Sequence, residues 1–148
     1  MPTLRAALAI ACAAAIAATA CGGASASSST TTTSPTPVAA DATTSETFAT
    51  TLSAGDGIFY SFSIAVYGNV AVTLTGVSGA DLPEDLTLGV GIGRPSGTSC
   101  TTSTAISTGP GTVAQLTGTY GPGVFCVRIY DNGTLTGPVR VSATVAHP

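Results

Sequence analysis

The 148-residue chain has no lysine and no tryptophan, a single histidine, and charge on only 7% of its residues. Each shortage excludes something. Nucleic-acid binding and attraction to an anionic membrane surface both need clustered Lys and Arg. Beyond Arg5 this chain offers Arg94, Arg128 and Arg140 against Asp41, Glu46, Asp56, Asp81, Glu84, Asp85 and Asp131, so neither is a main function. His147 stands next to the last residue, where chains fray, and cannot anchor a Ser-His-Asp triad in a rigid site. No glycine-rich loop lies between a strand and a helix, which leaves nucleotides without a cradle. The lack of tryptophan weakens a sugar-binding reading. What is abundant beyond the first twenty residues is Thr, Ser, Gly and Val, a composition for strands and turns.

Residues 6–20, AALAIACAAAIAATA, are an uncharged apolar run that follows Arg5. The run is shorter than the roughly 20 residues of a spanning helix, and it has the layout of the apolar centre of a secretory signal. An exported protein is expected. At its end ATAC resembles a bacterial lipobox, with Thr19 and Ala20 ahead of Cys21 as the lipidated residue and Ala18 at the place usually held by Leu. The ATA of Ala18 to Ala20 also fits the small-x-small rule of ordinary signal cleavage. Residues 21–45 are then a Ser/Thr-rich stretch with Pro35 and Pro37, too poor in apolar surface to offset chain entropy, and read as a disordered tether. Lipidation at Cys21 and a leash beyond it imply a domain lipid-anchored to a membrane of a bacterial cell envelope, on its periplasmic or surface face, with ordinary secretion as the alternative.

Four cysteines are present. Cys12 leaves with a leader cleaved before Cys21, Cys21 takes lipid, and Cys100 and Cys126 remain as a pair in an oxidising compartment. Ordinary cleavage would strand Cys21 as an odd thiol. Neither remaining cysteine has the CxxC spacing or nearby base of a reactive thiol, and two thiols with one imidazole fall short of a zinc site.

From Glu46 onward the sequence alternates. Tyr60, Phe62, Ile64 and Val66 form one face, with Phe59, Ser61, Ser63 and Ala65 opposite; Val70, Val72 and Leu74 continue the pattern. Tyr67 to Asn69 is turn chemistry, which predicts a hairpin between these two strands. Leu86, Leu88, Val90 and Ile92 oppose a face holding Gly89, Gly91 and Gly93, a sign of close backbone approach or of a groove. RPSGTSC reads as a turn delivering Cys100. A short strand in TTSTAIS, then TVAQLTGTY, a strand with Phe125, Val127 and Ile129 inward, and one with Val139, Val141, Ala143 and Val145 inward complete the set. Counting TFATTL near Glu46, residues 46–148 are predicted to form an all-β antiparallel sandwich or jelly roll of seven to eight strands.

IFYSFSIAVYGNVAVTLTGV, DLTLGVGIGRPSGT, GTYGPGVFCVRIYD and VRVSATV together resemble the bacterial pre-peptidase C-terminal domain, a β-sandwich module appended to secreted hydrolases. The likeness covers most of residues 46–146. It implies a binding or accessory role, with calcium in some relatives; the acidic segment differs here, since Thr87 and Arg94 stand where two of its Asp residues would be. For calcium the one acidic cluster is Asp81, Glu84 and Asp85, with a solvated loop as the alternative. Tyr67, Tyr120 and Tyr130 are the candidate aromatic contacts, set against half-buried tyrosines at strand ends. The expected function is non-enzymatic: an envelope lipoprotein whose sandwich contacts a protein or glycan. The alternatives are a structural envelope component and a calcium-assisted accessory module of secreted hydrolases.

Overall fold

A computed structural model describes residues 38–148; the leader, Cys21 and most of the segment read as a tether lie outside the described residues. Alternating β-branched and aromatic residues form eight strands: β1 (Thr44–Leu52), β2 (Gly57–Ile64), β3 (Gly68–Ser78), β4 (Leu88–Ser96), β5 (Ser99–Thr108), β6 (Leu116–Tyr120), β7 (Gly123–Asp131) and β8 (Val139–His147). They make two four-stranded antiparallel sheets, in the orders β1-β8-β3-β6 and β2-β7-β4-β5. The protein is an all-β sandwich with the count of strands at the upper expected value.

Period-two patterning places the core. Leu88, Val90 and Ile92 of β4, Val127 and Ile129 of β7, Val70, Val72 and Leu74 of β3, and Val141, Ala143 and Val145 of β8 are all 0% exposed. Val66 departs from its expected inward place: β2 ends at Ile64, and Val66 is 51% exposed. Ordered structure also begins earlier than Glu46, since β1 starts at Thr44 and Ala40 already bridges Gly68.

The expected hairpin between β2 and β3 is not formed. β2 pairs along its whole length with β7, from Gly57↔Tyr130 to Ile64↔Gly123, while β3 pairs with β6 and β8 in the other sheet. Turn chemistry at Tyr67 to Asn69 reverses the chain but does not choose the layer it enters. By crossing over, the chain gives each sheet one strongly apolar strand, and the two inward faces meet. The segment TVAQLTGTY is likewise shorter as a strand than expected. β6 begins at Leu116, and the Gln115 side chain takes over by accepting from the Leu74 backbone N at 2.8 Å. This occurs beside the bulge at Leu74/Gly76, where the β3–β8 ladder breaks register.

The glycine face of β4 is covered rather than open. A side chain at Gly89 would run into the Tyr130 ring, and one at Gly93 would stand 1.8 Å from the Thr101 carbonyl oxygen. At Gly93 the backbone of β5 therefore lies on β4 itself, next to a bulge where Ile92 pairs with Thr104 but Gly93 with Thr102. This close approach lets Cys100 on β5 reach past β4 to Cys126 on β7, and the two form a disulfide with Cα atoms 6.0 Å apart. Both cysteines are buried, Cys126 completely.

Candidate functional site

β1 and β2 are the edge strands of their sheets and meet along one side of the sandwich. Midway along, the Phe48 and Tyr60 rings stack with centroids 4.9 Å apart. Tyr60 donates its hydroxyl to Glu46 Oε2, and Glu46 Oε1 lies 2.9 Å from His147 Nε2. The His147 ring packs on Phe62, 5.2 Å between centroids, and its Nδ1 lies 3.0 Å from the Pro148 carbonyl oxygen. Fraying at His147 is thus overturned: it is 4% exposed, because β8 pairs with β1 as far as Thr44↔His147 and Thr43 N donates to the His147 carbonyl. Both ring nitrogens face oxygen atoms. The Tyr60 hydroxyl, and after it the His147 ring, hold the Glu46 carboxyl below its ordinary range, and the same bond raises the Tyr60 phenol. Glu46, Tyr60 and His147 form a latch from β1 to β2 and β8, tying the two sheets together.

Beyond this latch two adjoining cavities open, each of about 440 Å³. They share Gly57, Ile58, Phe59 and Thr98. One lies between β1 and β2 and is lined by Phe48, Ala49, Thr50 and Tyr60 as well; the other continues past Phe59 to Arg128 and to Ser99–Thr102 at the start of β5. Thr98 in both linings shows that the β4–β5 turn reaches across to β2, where the disulfide just behind it holds it. The volumes fall within the roughly 300–1,000 Å³ of small-molecule sites. Phe59 is 39% exposed, an aromatic ring on the face that otherwise carries Ser61 and Ser63. The Arg128 guanidinium lies 5.1 Å from the Tyr130 ring centroid and pairs with no carboxylate among the described residues. No acidic residue and no histidine lines either cavity.

The residues singled out from the sequence are distributed differently. Tyr67, 39% exposed, and Tyr120 sit at one end of the sandwich, where Tyr120 pairs with Gly68 and meets the Phe125 ring edge-on at 5.1 Å. Tyr130 lies at the other end of β7, pairs with Gly57 and covers Gly89. The three tyrosines do not share a surface. Asp81, Glu84 and Asp85 are exposed in the β3–β4 loop, and among the described residues no group of three or more His, Cys, Asp or Glu is placed to hold a metal ion. Asp131 instead closes a loop: its Oδ1 accepts from the backbone N of Gly133, Thr134 and Leu135 at 2.9, 2.9 and 3.2 Å, and its Oδ2 from Gly55 N at 2.8 Å. The Gly55 bond leads in holding this carboxyl below the usual range. Phe48, Phe59, Thr98 and Arg128 were not among the candidates. The available signal was an aromatic among serines in FYSFS and an arginine alternating with Cys126 and Tyr130 on an outward face.

Fold and site define a disulfide-pinned antiparallel β-sandwich with a two-part groove on its β1/β2 side. No family model matches the chain, and no curated protein matches its sequence.

Proposed function

We propose that this protein is a non-enzymatic binding module of the bacterial cell envelope, exported, lipidated at Cys21 and held to a membrane by the Ser/Thr-rich segment. The single observation that carries the binding reading is the pair of adjoining cavities with exposed Phe59 and unpaired Arg128 at their junction. A guanidinium without a carboxylate partner and a partly exposed ring meet at one concave surface, which leaves charge and apolar area for a ligand to cover. The groove also lies away from where the described chain enters, beside Gly68 and His147, so a tethered domain carries it outward. The pre-peptidase C-terminal resemblance agrees with an accessory, ligand-holding role.

Fractionation tests the anchor: the wild type should enter the membrane fraction and Cys21→Ala the soluble one, and a Cys21→Ala protein that stays in the membrane fraction overturns lipidation there. Retention of the Cys21→Ala chain, which has no lipid of its own, on washed envelope fragments tests the module. Phe59→Ser should lower retention at least about fivefold, on the scale of losing a buried aromatic contact; unchanged retention removes the groove from the function.

A further inference from the structure

We infer that the groove takes a carboxylate-bearing saccharide of one or two rings, with the carboxylate on Arg128 and a ring face against Phe59. The inference rests on the groove being a binding site and names what it binds. Charge decides the first part. Arg128 is the one charged side chain in either lining, it has no carboxylate partner among the described residues, and its guanidinium lies 5.1 Å from the Tyr130 ring centroid and against Gly57. A planar fork without a carboxylate of its own suits a bidentate carboxylate from a ligand.

Shape decides the second part. An extended peptide adds to a sheet by running along a free edge, and β2 is such an edge. The space between β1 and β2 is short along the strands, however: the Phe48–Tyr60 stack and the Tyr60–Glu46 bond cross it on one side, and the β1–β2 turn with Asp56 N bonded to Ser53 O bounds it on the other. A length of groove bounded in this way matches a compact ring better than a continuous strand. The walls match that ring, since Phe59 offers a flat apolar surface and Thr50, Thr98, Thr101 and Thr102 offer hydroxyls. Phe59 thereby fills the part that the missing tryptophan leaves open.

Titration of the full chain in detergent micelles with digalacturonic acid, its methyl ester and a neutral disaccharide tests this. The acid should bind at least about tenfold more tightly than the ester, as a charge-assisted hydrogen bond implies, and should move the amide resonances of Gly57, Phe59 and Thr98 in the wild type. Arg128→Met, which keeps the apolar stem over Tyr130, should abolish the difference between acid and ester; Phe59→Ser should weaken both. Equal binding of acid and ester, or resonance changes elsewhere, overturns the proposal. Tighter binding of hexaglutamate, with changes along all of β2, overturns it in favour of a strand-adding peptide. If no saccharide binds while retention on envelope fragments still depends on Phe59, the ligand class alone is wrong; if both fail, the groove is not a binding site.

Discussion

At the scale of single residues, Gly93 and Asp131 show how little chemistry separates a fold from its failure. The Thr101 carbonyl occupies the place of a Gly93 side chain, 1.8 Å from where Cβ would stand. Gly93→Ala must push β5 away from β4, and the backbone on both sides leaves no flexible group to yield. It should destabilise the protein by about 1–3 kcal/mol, the usual cost of overpacking, and raise the free-thiol titre of Cys100 and Cys126 during oxidative refolding. A variant that melts like the wild type and oxidises as fast contradicts the account. Glycines on an otherwise apolar strand carried this information, because the absence of a side chain states that something else is close. They could not say that the neighbour is β5 rather than a loop.

At the scale of elements, the disulfide joins strands that are not neighbours. β4 lies between β5 and β7, and the bridge spans it to hold the turn at Thr98 beside Phe59. Its loop has a sequence separation of 26, worth about 3–4 kcal/mol in the chain-entropy model. Cys100→Ser with Cys126→Ser should lose about that much, read from denaturant midpoints. Hydrogen exchange should quicken most between Ser96 and Thr102, with little change in the β1–β8 pair; a uniform rise would show that the bridge has no special hold on the groove wall. The inward faces of β3, β4, β7 and β8 were legible from alternation alone. The β2–β3 hairpin was not, since turn residues report a reversal and are silent on the layer that follows. Val66 shows the same limit, as alternation ran past the end of the strand.

At the scale of the whole molecule, two carboxylates tie the sandwich at its opposite ends. Glu46 joins β1 to Tyr60 of β2 and His147 of β8, and Asp131 joins the loop after β7 to Gly55 of the β1–β2 turn. Both have folded-state pKa values below the unfolded ones. Their contribution is therefore present above the unfolded carboxylate range and lost as pH falls through the folded values, below about pH 4. Tyr60 has the opposite sign: its raised value keeps its contribution intact below about pH 10 and withdraws it as pH rises further. Thermal melts should show stability falling on both flanks. Asp131→Asn, which puts an NH2 that cannot accept in place of one of the two accepting oxygens, should lower the neutral-pH plateau by about 1–2 kcal/mol, the scale of a lost hydrogen bond to a charged group, and flatten the acid limb. An acid limb of unchanged slope in both Asp131→Asn and Glu46→Gln would mean that other groups govern it.

The amino-acid sequence by itself determined the class of the fold, the inward face of most strands and the pairing of Cys100 with Cys126. The first two follow from a period of two along the chain, which is local, and the third from the expectation that Cys12 and Cys21 are taken up by a leader and a lipid, which leaves one pair. Which sheet each strand enters, the burial of His147, and the meeting of Phe48, Phe59, Thr98 and Arg128 around one groove were decided only by the tertiary structure. Those depend on pairings between residues far apart in the chain, where β1 finds β8 and β2 finds β7, and side-chain alternation is the same whichever partner a strand takes.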